Sequence, residues 1–317
     1  MKPPDHFSRR EFCERLTAAT SGLALLGAEK VFAQPGKTQR FTLAGFTKPF
    51  QDLSFEQTAD VVARIGWDGI ECPVRRGGQV LPERVGEDLP KLVQALKRRN
   101  LSIFSIATDI QNAADPLTGR VLRTAAKLGI KLYRLGFLHY DLKRPIPAQL
   151  ESFRAGLREL LALNKELGLC AAIENHSGHD AVGAPVWDIY ELIKDFDPRY
   201  FGVCFDIGHA TIEGGLDWQI QFRLIESWLS AVYVKDFVWK KEGNRWKEEW
   251  LPLGQGMVDP SFVQLLARSS FAGPIVQHFE YPVGRGDEMV AAMKRGRETL
   301  QSWLTRANAS PAPGNSR

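Results

Sequence analysis

Val203-Cys204-Phe205-Asp206-Ile207-Gly208-His209 reads as a short buried strand that carries an Asp, and three residues later a His, to its C-terminal end. An Ile173-Glu174-Asn175-His176 strand end precedes it, and Tyr233-Val234-Lys235-Asp236 and His278-Phe279-Glu280-Tyr281 strand ends follow. Four consecutive strand-like runs finish in polar, ionisable residues, with helical patterns between them. That arrangement gathers all four ends around one site.

Working outward, short apolar runs recur at 41–46, 69–72, 101–107, 131–136, 169–173, 201–205, 231–234 and 274–279. Between them lie stretches with apolar residues at three- and four-residue spacing, such as Phe55-Ala59-Val62-Ala63, Leu89-Leu92-Val93-Leu96 and Leu150-Phe153-Leu157-Leu160-Leu161, which is helical periodicity. Gly66, Gly129 and Gly168 each stand just before a strand, where a left-handed helix C-cap is expected. Eight strands alternating with helices at spacings of roughly 30 residues predict a single (β/α)8 TIM barrel. An open doubly wound sheet would bring a Gly-rich phosphate turn after its first strand, and Gly45-Phe46-Thr47-Lys48-Pro49 does not have that pattern. The barrel is read as one domain over 34–306, and the Ala/Ser/Pro/Gly/Asn-rich stretch 307–317 as a disordered tail.

The 317 residues carry a net charge of +4 with 44% hydrophobic and 25% charged residues, ordinary for a globular protein. So mild a charge supports no nucleic-acid partner. Of the four cysteines, Cys72, Cys170 and Cys204 sit in apolar strand-like runs without C-x-x-C spacing, and read as small buried hydrophobes.

In such a barrel the C-terminal strand ends form the active face, and side chains of one parity point inward. Strand five then sends Ala172, Glu174 and His176 inward, strand six Cys204 and Asp206, strand seven Tyr233 and Lys235, and strand eight Val276, His278 and Glu280. Three carboxylates brought together repel one another, so a positive group must hold them. Oxygen ligands with at most one imidazole favour a divalent Mg2+ or Mn2+ over zinc. Trp239, Trp246 and Trp250, in the segment after strand seven, cluster near the same face and supply rings on which an apolar ligand face could stack. That long segment, 239–256, has the length of an active-site lid or of a hairpin on the rim. Glu71, Arg134 and His139 are further candidates at the rim.

The chain resembles the sugar-phosphate isomerase/epimerase superfamily, the xylose-isomerase-like barrels, over about 42–304. The resemblance rests on Gly66-Trp67-Asp68-Gly69-Ile70-Glu71, Ile173-Glu174-Asn175-His176, Asp206-Ile207-Gly208-His209, Val234-Lys235-Asp236-Phe237, Pro252-Leu253-Gly254-Gln255-Gly256 and Phe279-Glu280. It implies a metal held by Glu174, Asp206 and Glu280, together with a His on strand seven; at that position this chain has Tyr233. Three repairs are open. His278 enters the shell, water fills the gap, or Lys235 replaces the metal's charge. The resemblance further implies proton transfer beside a carbonyl, with the metal bridging two substrate oxygens, Glu174 and Glu280 as the acid–base pair and Lys235 beside developing negative charge. His209, His176, Glu71 and Trp239 are the expected substrate contacts. The expected activity is that of an isomerase or epimerase on a non-phosphorylated or keto sugar. A 3-keto-glycoside lyase or hydratase and a non-catalytic sugar-binding barrel are the alternatives.

Ser8-Arg9-Arg10-Glu11-Phe12, the uncharged run 16–28 and Val31-Phe32-Ala33 resemble a twin-arginine export signal spanning 1–33. The run is too short to span a bilayer in the mature protein. Export to the periplasm, a small-molecule sugar substrate, no stable membrane association and possible homodimerisation are the corresponding expectations.

Overall fold

The structure is a computed structural model that describes residues 41–309. Eight parallel strands close a barrel: β1 (Thr42–Phe46), β2 (Gly69–Val74), β3 (Ser102–Thr108), β4 (Leu132–Arg134), β5 (Cys170–Glu174), β6 (Phe201–Asp206), β7 (Leu229–Val234) and β10 (Pro274–Gln277). Closure is made by β1, which pairs with β2 on one side and with β10 on the other, Thr42 opposite Pro274. The single (β/α)8 barrel predicted from the strand spacing is therefore the fold. The export-signal stretch 1–33 and most of the tail read at 307–317 lie outside the described residues. The last helix continues through Ala309, past the 306 boundary read from the sequence.

The crossover helices are α1 (Phe55–Ile65), α2 (Val85–Lys97), α3 (Pro116–Lys127), α4 (Ile146–Leu167), α5 (Val186–Ile193), α6 (Ile207–Gly214), α7 (Trp218–Ile225), α8 (Phe262–Arg268) and α9 (Gly286–Ala309). Their starts and stops are legible residue by residue. Ser54 and Gln57 form a reciprocal capping box at the start of α1. Gly66, Gly129 and Gly168 have φ of 86°, 81° and 64°, as expected of helix ends that turn back toward the sheet. No helix among the described residues is long and apolar enough to cross a membrane.

Strand alternation divides the core in two. Inside the barrel lie Ala44, Phe46, Ala107, Leu132, Ala172, Cys204, Ala231, Tyr233 and Val276. The opposite parity, Leu43, Val203, Phe205, Val232 and Ile275, packs outward against helix residues such as Val62, Leu92 and Phe222. The interior is filled mostly by small side chains, so the large polar groups near the strand ends settle deep. The three described cysteines carry free thiols; Cys72 and Cys204 are buried.

Between the seventh and eighth barrel strands the chain makes an antiparallel hairpin, β8 (Asp236–Glu242) with β9 (Arg245–Leu251). Of the two forms open for this segment, a lid or a rim hairpin, the backbone is the hairpin. Its root is fixed by Asp236, whose carboxylate accepts from the backbone amides of Phe237, Gly254, Gly256 and Val258 at 2.9–3.0 Å. The Lys235-Asp236 and Pro252-Leu253-Gly254-Gln255-Gly256 stretches thus form one clamp.

Candidate active site

The innermost polar layer is centred on Glu71. It is not at the rim: it lies within β2 and is 0% exposed. The Tyr233 hydroxyl donates to its Oε1 at 2.5 Å, and His278 Nε2 donates to its Oε2 at 3.0 Å. Arg134 Nε lies 3.5 Å from Oε1. The His278 ring is stacked between Phe46 and Tyr233, with centroids 4.8 and 4.3 Å away. Burial opposes ionisation of Glu71, but the His278 bond and the Arg134 charge outweigh it and hold the carboxyl below its ordinary value. Burial pushes the Tyr233 phenol well up, so it stays a neutral donor. Arg134 is likewise buried rather than exposed at the rim. The last residue of β4, it is buried and bonds Glu174 through Nη1, and its guanidinium lies 5.0 Å from the Phe137 ring.

The next layer outward holds Glu174, Asp206, His209 and Lys235, all buried. Local chemistry explains their positions. Asp206 ends β6 and N-caps α6, its Oδ1 accepting from the His209 amide at 3.0 Å, so the Asp-x-x-His spacing is the first turn of a capped helix. Asn175 grips the same strand end: its amide donates to the Asp206 carbonyl at 2.9 Å and its oxygen accepts from the Asp206 amide at 2.7 Å. Gly208 leaves room for Lys235; a Cβ there would stand 2.8 Å from Lys235 Cγ and 3.2 Å from the Lys235 carbonyl oxygen.

Lys235 Nζ lies 3.0 Å from Asp206 Oδ2 and 2.6 Å from His209 Nε2. An ammonium can only donate, so His209 Nε2 carries the lone pair and Nδ1–H donates to Ser177 Oγ at 2.7 Å. Burial, and then the Lys235 charge, hold the His209 imidazole well below its ordinary pKa, so it is neutral. Burial pushes the Asp206 carboxyl up; Lys235 pulls it back, and Glu174 adds to the rise.

Over this layer runs an arc of rings. Phe137 meets His176 at 4.5 Å, His176 meets His209 at 4.0 Å, and His209 meets Trp250 at 5.5 Å. Trp250 also covers Lys235, with Nζ 4.8 Å from a ring centroid. Glu280 reaches solvent, with 25% of its side chain exposed and an ion pair to Lys48 at 3.0 Å. Burial opposes its ionisation, but Lys235 and Lys48 outweigh that and hold its carboxyl below the ordinary value.

The structure therefore brings Glu174 and Asp206 together with His209, whose ligating atoms lie within 4.8 Å of one another. It places the other two residues of the expected metal set elsewhere: His278 on Glu71 and Glu280 on Lys48. Trp239 packs on Phe237 at 5.6 Å and is 37% exposed, whereas Trp250 is the hairpin ring over the site. His139 pairs with Asp180 in an exposed position. Sequence reasoning missed Lys48, Asn175 and Ser177. Lys48 stands two residues past the end of β1, and Asn175 stands inside a quoted motif; either place was a usable signal.

The chain belongs to the xylose isomerase-like TIM barrel family, whose sequence model matches residues 59–304. Solved structures share the fold at low identity. A xylose isomerase-like barrel protein from Mycobacterium smegmatis in complex with magnesium is 17% identical, with TM-score 0.64, covering 84% of this chain and 97% of that one. The 3-keto-D-glucoside 4-epimerase of E. coli is 14% identical, with TM-score 0.64, covering 83% and 99%. A probable 3-DHS dehydratase from Bacillus anthracis is 16% identical, with TM-score 0.63, covering 82% and 99%. A curated relative, an uncharacterised protein of Methanocaldococcus jannaschii, is 22% identical over 157 residues, so the match spans 49% of this chain and 50% of that relative.

Two carboxylates and a neutral imidazole fit a hard divalent ion in donor chemistry. Asp206 Oδ2 is buried and has no hydrogen-bond partner among the described residues, but it already faces a cation, the Lys235 ammonium 3.0 Å away. The third family position is different: Tyr233 is committed to Glu71, and Lys235 stands against two of the three donor side chains, Asp206 and His209.

Proposed function

We propose that this chain is an isomerase or epimerase that moves a proton beside the carbonyl of a non-phosphorylated or keto sugar. The observation that carries the reading is the pairing, on one barrel face, of an accessible, ionised carboxylate with a buried cation. Glu280 is held in its basic form by Lys235 and Lys48, and is the group able to remove the carbon-bound proton. Lys235, 4% exposed beneath Trp250, supplies positive charge where an enediolate oxygen would develop, in a setting that excludes water. Glu174, bonded to Arg134, is the second carboxylate: it would take up a proton from solvent and deliver it from the other side, while Glu280 releases the abstracted proton to solvent. His176 and Trp250 present ring faces to the sugar. A divalent ion, Mn2+ or Mg2+, would be held by Glu174, Asp206 and His209 and would withdraw electron density from adjacent substrate oxygens.

The sugar epimerase and the dehydratase among the structures of this fold support carbonyl-adjacent proton abstraction as the common step. The dehydratase also keeps elimination from a 3-keto-glycoside as the second reading. The Arg9-Arg10 stretch supports reading the enzyme as exported to the periplasm, which favours a non-phosphorylated sugar as substrate.

The test is incubation of the purified protein with 3-keto-glucosides and free ketoses in D2O, with and without Mn2+, followed by NMR and mass spectrometry. Deuterium at the carbon beside the carbonyl, with an epimer or isomer as product, supports the reading. A cleaved product transfers it to the lyase. Sugar-dependent stabilisation with no deuterium in any substrate would make the barrel a binding protein.

A further inference from the structure

The buried layer contains more than the proposed reaction requires. Glu71 is engaged by Tyr233, His278 and Arg134, whereas Glu174 is bonded to Arg134 through one oxygen, Oε2. Asp206 has one oxygen on the His209 amide and the other facing Lys235 Nζ at 3.0 Å without a hydrogen bond. His209, its tautomer set by Ser177, aims its Nε2 lone pair at the same ammonium, 2.6 Å away. Thus the Lys235 ammonium lies against both side chains, Asp206 and His209, that converge with Glu174.

A divalent ion on those atoms would need metal–ligand distances of roughly 2.0–2.2 Å for an imidazole nitrogen and a carboxylate oxygen. An ammonium already in contact with both atoms then stands within the ion's own coordination shell, and like charges at that separation repel strongly in a buried site. The lone pair that accepts from Lys235 cannot also bind a metal.

We propose that Lys235 is the resident cation of this site and that a divalent ion occupies it only by displacing the Lys235 ammonium from Asp206 and His209. The Trp250 ring, already 4.8 Å from Nζ, offers the displaced ammonium a second partner. Resident lysine and metal are alternative occupants, so the native side chain weakens metal binding. The inference deepens the cofactor part of the proposed function, yet it is read by binding alone. Its failure leaves proton transfer untouched, and the absence of proton transfer leaves it standing.

The experiment is a titration of metal-stripped, full-length mature protein with Mn2+, following free Mn2+ by electron paramagnetic resonance and repeating with Mg2+ by calorimetry. Wild type is compared with Lys235→Met and with Lys235→Gln, a neutral polar variant that serves if the apolar one folds poorly. The expected result is one Mn2+ per chain, bound at least about tenfold more tightly by either neutral variant than by wild type. Adding Asp206→Asn to the neutral variant should abolish that gain. Equal affinity in wild type and both variants, including no binding in any of them, overturns the proposal. A gain that survives Asp206→Asn overturns it as well, because the ion would then be bound elsewhere.

Discussion

The Tyr233 hydroxyl donates to Glu71 Oε1 at 2.5 Å across the barrel interior, from β7 to β2. The residue at the position where the family resemblance implies a metal-binding histidine is therefore committed to a buried carboxylate. His278, one strand away, is drawn to the same carboxylate. One acidic side chain in β2 thus determines what β7 and β10 contribute to the interior.

Tyr233→Phe keeps the ring stacked on His278 but leaves a fully buried carboxylate oxygen short of a donor. Unsatisfied buried groups cost about 1–3 kcal/mol. Urea denaturation of the variant should show a loss in that range. An unchanged midpoint would mean that Arg134 and His278 satisfy Glu71 without the phenol.

Arg134→Met should be the most damaging single change in the site. It strips the cation from Glu174 and removes the guanidinium 3.5 Å from Glu71, both buried. Removing one partner of a buried ion pair costs roughly 3–5 kcal/mol. Thermal unfolding of Arg134→Met against Arg134→Lys measures how much of this is charge alone, with the lysine variant expected to lie between the methionine variant and wild type.

Much of this arrangement follows from inward parity, which is why the barrel and the convergence of Glu174, Asp206 and Lys235 were readable from strand-end patterns. Depth was not readable. Glu71 and Arg134 read as rim residues because an isolated polar residue near a strand end is usually wet; here the small interior side chains Ala44, Ala107, Ala172 and Ala231 leave space below for them. Partner choice was also invisible. Parity makes His278 and Glu280 neighbours of the site, but the bond to Glu71 and the ion pair to Lys48 depend on side-chain reach across strands remote in sequence.

Glu280→Gln should abolish hydrogen exchange into substrate, by at least about 100-fold for loss of a general base, while leaving the melting temperature close to wild type. Lys48→Met gives the complementary result. Glu280 has a lowered carboxyl pKa, so the base is present above that value and is lost as pH falls through it. Removing Lys48, one of the charges that lowers it, should move the acid limb of the pH–rate profile upward, and only modestly because Lys48 is half-exposed. A limb that stays in place would assign it to another group.

Asp188 makes a separate pH prediction. At the N-terminal turn of α5 its carboxylate accepts from the Gly183 amide at 2.9 and 3.0 Å and from the Tyr140 hydroxyl at 2.9 Å. Burial nevertheless dominates and raises it from 3.8 to about 6. A raised folded-state value favours the protonated native form. Its contribution to stability is full below pH 3.8 and is lost as pH rises through about 6. Relative to Asp188→Asn, wild type should lose stability across that window. Parallel melting curves for the two proteins between pH 4 and 7 would remove Asp188 as the cause.

The Asp236 clamp makes the β8–β9 hairpin a cantilever. Four backbone amides from both sides of its root converge on one carboxylate, while Trp246, toward the far end, is 63% exposed. Bending is then greatest at the tip and least at the root, and Trp250 pairs with Phe237 directly beside that root. The ring above Lys235 is thus a fixed roof.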